Sequence, residues 1–454
     1  MWRPKSTGPL DGQCSVQCQS GRLEDLERDA AAGKAAGGDH CLTLQCKPKP
    51  VATPRKLRPV DKNGAAQPLE AQCTCADTKR VPGGPPPHSV DLLRMIRRRK
   101  HLNVLDALRL LRNHSLTWAS PLDKEESSSL VAYQERVFSI FHELSDEALG
   151  SYNWGRSRCL HCHGGGLADV VFNKMWRQSY KTLVPSLGAA YIPLLWRSLT
   201  DDLPHNNATW RKRLVAAWAK LDHCHLHFTI FMQAHVGQLR KALRKNHLPM
   251  LDMQNILIFD SRGVDVLPAF PIPLARSAPL ACPPGTRKNV SVSFHGGCTE
   301  ILRHPSTGIR SRLWDLFRDV KDAHVGHCGD LNPDFVNELC ASYFTLSPPG
   351  FAPSSFRQNE ALQCQALPVI ISRSSGDAPL WLPFQDLGVD WTQLGVVVGG
   401  EAALPTLPAR LTGILADAAD IGARMDRAAA LAPLFSPEGL IEYVLYVVAF
   451  YKAR

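Results

Sequence analysis

The residues best suited to chemistry lie between Ser342 and Val398. An apolar run, Ser342–Leu346, leads into a Pro/Gly loop holding Pro348 and Gly350, and then into Ser354, Ser355, Arg357 and Glu360. This order reads as strand, loop, helix and strand. Ser354 and Ser355 fall at the helix start, where hydroxyls cap and backbone N–H groups point outward. A helix amino terminus that follows a strand and a glycine turn is a ready anion site. Arg357 adds a fixed cationic fork in the first turn. Glu360, three residues on, shares a side of the helix with Arg357, and a carboxylate there can accept two hydrogen bonds from a ribose diol. The same residues also read as a capped helix with an Arg–Glu surface pair, and residue type alone does not separate the two.

Other groupings compete. Cys159-Leu160-His161-Cys162-His163 matches the Cys-x-x-Cys-His pattern of covalent haem attachment. Cys159 and Cys162 with two of His223, Cys224, His225 and His227 would also make a zinc set, and a disulfide or plain loop cysteines complete the options. Six cysteines in the amino-terminal part, Cys14, Cys18, Cys41, Cys46, Cys73 and Cys75, have spacings that match no zinc module well. Asn113, Asn207 and Asn289 begin Asn-x-Ser/Thr sequons, with Asn289 expected at the start of a buried strand.

The elements that must position these groups follow from composition and pattern. The chain has 454 residues, 44% apolar and 21% charged, enough for two or three domains with a real core. Residues 1–90 hold one aromatic, Trp2, so residues 1–88 are expected to be a disordered tail, in line with the Pro-rich stretches Lys47–Pro59 and Pro82–Pro87. Residues 89–130 are expected to form a basic helical stem, its apolar stripe running through Leu93, Ile96, Leu105, Leu108 and Leu111. The net charge of +10 is uneven. Residues 1–112 carry 20 Lys/Arg against 11 Asp/Glu, and the other 342 residues carry 32 against 31. A nearly neutral body argues against a nucleic-acid groove, while the basic amino-terminal region suits proximity to an acidic surface such as a membrane. No run of 18 or more apolar residues is present, and the first 30 residues contain no apolar signal-like segment.

Beyond residue 130, short apolar runs alternate with helical stretches. Strands are expected at Leu226–Met232, Asn255–Phe259, Val290–Phe294, Ser342–Leu346, Leu367–Ser372 and Leu394–Val398. Helices are expected at 208–220, 236–246, 308–319, 332–340, 354–365 and 406–416. This alternation implies an α/β protein of two Rossmann-like parallel-sheet halves, residues 131–280 and 281–430, divided near Pro268–Pro284 and followed by a carboxy-terminal helix over 431–454. Ligands of such folds bind beyond the carboxyl ends of the strands, here in the cleft between halves.

The order Pro348, Gly350, Ser355, Arg357, Glu360, Ala361, Pro368, Val369, Ile370, continued by Pro383, Phe384, Asp386, Asp390 and Trp391, resembles the nucleotide-sugar half of the exostosin-like glycosyltransferases, family 47. Asn289–Gly296 and Gly308-Ile309-Arg310 with Leu313 look like that family's preceding strand and helix. The resemblance covers roughly residues 165–430 and implies a GT-B-like architecture. It also implies an inverting, metal-independent enzyme that moves a sugar from a UDP-sugar to a glycan or glycoprotein, with no cofactor and a Golgi membrane or lumenal location. Arg310, Gly350, Ser354, Ser355, Arg357 and Glu360 would hold the donor. Where the family has its basic Asp this chain has Val236, which leaves His235 as the nearest titratable group for the general base. His295 stands in place of a family Arg, Pro349 of a frequent Arg, and Gln365-Ala366 of a Gly-Cys pair. These departures support the alternative of a catalytically inactive GT-B relative that binds or assembles.

Overall fold

In a computed structural model the described residues are 14–17, 43–46, 103–118, 122–151, 168–196, 208–222, 224–232, 255–261, 269–276, 278–296, 306–326, 332, 334–349, 355–372 and 382–452. Residues 1–74 and 75–454 form separate units. In the first, strands β1 (Cys14–Gln17) and β2 (Thr43–Cys46) pair antiparallel where the sequence suggested disorder; the rest of the expected tail lies outside the described residues.

The second unit holds two all-parallel sheets. Four strands, β3 (Ala189–Tyr191), β4 (Leu226–Phe231), β5 (Ile256–Asp260) and β6 (Ala269–Pro271), lie side by side in chain order. The second sheet has the order β11-β10-β9-β7-β8, from β7 (Val290–Phe294), β8 (Ala323–Val325), β9 (Ser342–Ser347), β10 (Leu367–Ile371) and β11 (Val396–Val398). β5 and β10 are buried at every residue, as strands covered on both faces must be. The expected pair of parallel-sheet α/β halves is therefore present. In the second sheet the chain passes from β7 outward to β8, then returns to place β9 on the other side of β7. The carboxyl ends of β7 and β9 thus flank the point where strand order reverses, the usual ligand crevice of doubly wound sheets.

α1 (Val104–Trp118) packs on the carboxy-terminal helix, while α2 (Lys124–Ser151) and α3 (Ala168–Leu187) pack beside β3 and α4 (Ala208–Trp218) packs on α2. α5 (Ser306–Phe317), α6 (Phe335–Ala341) and α7 (Phe356–Gln363) belong to the second sheet. The described part of the expected stem is not a free helix. Val104, Ala107, Leu108 and Leu111, spaced i, i+3, i+4 and i+7, are buried against the carboxy-terminal helix Pro437–Lys452. Arg109 and Arg112 pair with Glu442 on that helix. The stripe differs from the expected one because Val104 and Ala107 face inward while Leu105 is only half-buried; Leu93 and Ile96 lie outside the described residues. Twelve of the carboxy-terminal helix's residues are buried. Its Tyr443 ring stands 6.3 Å from Phe259 of β5 and 4.9 Å from Phe384 beside the second sheet, so one aromatic side chain ties both sheets to a common core. Among the described residues no single helix is long and apolar enough to cross a membrane.

The sequence-derived strands match closely, whereas the expected helix 236–246 lies outside the described residues. Asn289, expected at a buried strand start, is exposed and precedes β7.

Candidate functional site

Two helices bring cations to the reversal point. The first, α5 (Ser306–Phe317), buries Ile309 and Leu313 against the sheet, and that face turns Arg310 toward the β9 end. Its guanidinium lies 6.0 Å from the Phe294 ring and donates to the Pro349 carbonyl at 3.5 Å. The second helix, α7 (Phe356–Gln363), follows β9. Ser355 is its N-cap: its backbone is extended (φ −136°, ψ 144°), and its hydroxyl accepts from the Arg357 amide at 3.3 Å. Arg357 packs its guanidinium 4.1 Å over the Phe335 ring and donates to the His295 carbonyl at 2.7 Å. Arg310 and Arg357 sense each other. Burial, and then the charge on Arg357, hold the Arg310 pKa below its usual value.

Glu360 is the fixed anion of the site. It is 1% exposed, which overturns the surface-pair alternative. Arg357 binds one carboxylate oxygen and Arg276 the other. Arg276 comes from the segment joining the two sheets, so this triad stitches that segment to α7. The buried carboxylate is thus ion-paired on both oxygens, as buried charge must be, and hydrogen-bonded by Arg357 on one. Nearby, His295 Nε2 contacts Glu338 Oε1 at 2.7 Å, and Asn332 donates to the second Glu338 oxygen at 2.8 Å. Among the described residues, two guanidiniums bind one buried carboxylate beside a helix amino terminus, and the charge of a third, Arg310, acts on that of Arg357. The local excess of positive charge suits an anionic ligand.

Of the residues singled out in the sequence, Arg310, Ser355, Arg357 and Glu360 are brought together. Gly350, Ser354 and His235 lie outside the described residues, as does the Cys159–His163 stretch. Cys224 is disulfide-bonded, which removes its thiolate from the zinc set considered above. Sequence reasoning missed Arg276, a lone arginine in a Pro-rich segment, and the His295–Glu338 pair, whose members sit 43 residues apart. It took Asp386 and Trp391 as family landmarks, and their physical role is structural. Tyr443 donates to Asp386 at 2.6 Å, and the Trp391 indole N–H donates to the Pro383 carbonyl at 2.8 Å. Phe384 between them is held in the left-handed region (φ 61°) by rings at 4.9 and 5.2 Å. A separate open pocket of about 430 Å³ lies at the amino ends of β4 and β5, lined by His225, Asn255 and Lys452 among others. It is on the wrong end of the strands to be the crevice described here.

The two parallel sheets define an α/β protein, and its crevice at the strand-order reversal brings together a capped helix and two arginines. Residues 223–411 match the Exostosin GT47 domain, so over that span the chain is exostosin-like, as the Pro348–Trp391 resemblance implied. A probable glucuronosyltransferase of Oryza sativa subsp. japonica is 29% identical over 195 residues, 40% of this chain and 44% of that protein. A probable beta-1,4-xylosyltransferase of Arabidopsis thaliana is 28% identical over 192 residues, 39% of this chain and 43% of the relative. The matched stretch therefore spans less than half the length of these relatives. A solved structure, that of the GtfA/B complex, aligns over 60% of this chain and 55% of its own at 12% identity and a TM-score of 0.26, too slight a likeness to argue from.

Proposed function

We propose that this chain is an inverting, metal-independent glycosyltransferase that moves a sugar from a UDP-sugar to a glycan or glycoprotein acceptor. The observation that carries the reading is the meeting of Arg310 and Arg357 at the reversal point, beside the amino terminus of α7. In the reaction the acceptor oxygen attacks the anomeric carbon and passes its proton to neutral His235. The bond from that carbon to the diphosphate breaks on the opposite side, and the electron pair leaves on the diphosphate. The leaving charge is met by the two guanidiniums and the first amides of α7, with Ser355, Ser354 and Gly350 as the further donor-binding residues. Glu360 accepts the ribose hydroxyls once Arg276 yields one of its oxygens. The names of the curated relatives point to a uronic-acid or pentose donor. The disulfides at Cys282–Cys340 and Cys224 support an oxidising compartment, in keeping with a Golgi lumenal or membrane location. The basic amino-terminal region would sit near the membrane.

Calorimetric titration of the full chain with UDP tests the reading. Saturable binding is expected, weakened tenfold or more (about 1.4 kcal/mol) by Arg310→Gln. No saturable binding, or equal binding by the variant, would overturn the site. If UDP binds but His235→Ala leaves transfer untouched, the base assignment fails while the donor site stands.

A further inference from the structure

Three sulfurs meet at the far end of α7. Cys282 and Cys340 form a disulfide with Cα atoms 5.6 Å apart. Cys364, the residue that ends α7, is a free thiol, and its Sγ lies within 4.8 Å of both bridged sulfurs. Cys340 and Cys364 are buried, 2% and 1% exposed, among Phe335, Leu339, Ala361 and Ala366. Cys282 is only half-buried.

A thiolate beside a disulfide is the nucleophile of disulfide exchange. Here it is held latent. Burial, and then Glu360, push the Cys364 thiol up to about 12, against the opposing charges of Lys288, Arg357 and Arg276. Lys288 donates to the Cys364 carbonyl at 3.1 Å, and burial lowers its own pKa to about 8. A base therefore becomes available next to the thiol as pH rises through that value.

We propose that Cys282, Cys340 and Cys364 form one thiol–disulfide exchange centre, in which the bridge moves from Cys282–Cys340 to Cys340–Cys364 and releases Cys282 as a thiol open to small electrophiles. Cys364 Sγ gives its proton to the neutral Lys288 amine and attacks Cys340 Sγ. The Cys340–Cys364 bond forms, the Cys282–Cys340 bond breaks, and its electron pair leaves on Cys282 Sγ, which takes the proton back. The step consumes neither oxidant nor reductant. Attack falls on Cys340 because the leaving charge then lands on the half-buried cysteine, Cys282; attack on Cys282 would leave it on the buried Cys340. The product joins the end of α7 covalently to the helix Phe335–Ala341, so the exchange links the helix of Arg357 and Glu360 to that of Glu338.

Iodoacetamide labelling of the native full chain, acid quenching and non-reducing peptide mapping test the centre. The expected product carries the label on Cys282 together with a Cys340–Cys364 cross-linked peptide. Its formation rate should rise at least tenfold between about pH 7 and about pH 9 as the thiolate fraction grows, and it should vanish in Cys364→Ala. Label on Cys364 with Cys282–Cys340 intact, or equal Cys282 labelling in Cys364→Ala, overturns the proposal. Cys282→Ser gives a second reading. Treated with a low-molecular-weight disulfide, it should form the Cys340–Cys364 bridge; two free thiols in the folded variant would contradict the geometry.

Discussion

Replacing Glu360 by Gln tests how the site is held together. Glu360 has no solvent to fall back on, and each of its oxygens faces a guanidinium, Arg276 on one side and Arg357 on the other. The amide keeps one acceptor but turns an N–H₂ toward a cation. One charge-assisted bond is lost and the other becomes charge–neutral. A hydrogen bond to a charged group contributes about 1.5–3 kcal/mol, and removing one partner of a buried ion pair costs about 3–5 kcal/mol. The variant should therefore lose about 3–5 kcal/mol in chemical denaturation, with an unchanged denaturant slope. The exposed Arg318–Asp319 pair serves as the control, since Asp319→Asn should cost under about 1 kcal/mol. Adding Arg276→Met to Glu360→Gln should cost less than the sum of the single changes, because each removes the same contact. A loss below about 1 kcal/mol in Glu360→Gln, or strict additivity with Arg276→Met, would refute the buried triad.

Two further outcomes follow from the core beneath the site. Burial raises the Asp386 carboxyl to about 6 against the Tyr443 hydrogen bond, so the folded chain holds that proton more tightly than the unfolded one. The stabilising contribution is full below the unfolded value near 3.8 and is lost as pH rises through about 6. Asp386→Asn, which still accepts from Tyr443, should therefore be the more stable protein above neutral pH, by about 2–3 kcal/mol, with the gap closing toward pH ~4; thermal melts across pH read this, and a wild-type advantage at high pH would count against it. Trp391→Ala removes a ring packed 5.6 Å from Phe435 and the indole bond to Pro383. It should cost about 3–5 kcal/mol in the same denaturation assay, and a near-neutral result would show that the loop after β10 is not anchored there.

Much of the second half was legible in the sequence for a simple reason. Buried parallel strands such as Leu367–Ile371 are unbroken apolar runs, and the Ser355 cap with Arg357 and Glu360 sits on one short helix where spacing alone fixes the neighbours. The three-residue strands Ala189–Tyr191, Ala269–Pro271 and Ala323–Val325 were missed because so few residues carry no periodicity. Arg276 was invisible for a different reason. It meets Glu360 across 84 residues of chain, a distance that neither helical spacing nor strand alternation encodes. The Cys282–Cys340 bridge, 58 residues apart, is equally non-local. The inward face of the described stem helix was only partly legible because Val104 and Ala107, which complete it, are small residues that only the partner helix makes into core.

The central claim is that the paired arginines hold a leaving diphosphate. Release of UDP by the full chain, measured across a panel of UDP-sugars with and without glycan acceptors, tests it most directly. The account predicts turnover of at least one UDP-sugar, with kcat falling about 10²–10³-fold in Arg310→Gln, the scale of losing one preorganised donor to a developing oxyanion. Absence of turnover with every donor, or turnover that Arg310→Gln leaves unchanged, would contradict it.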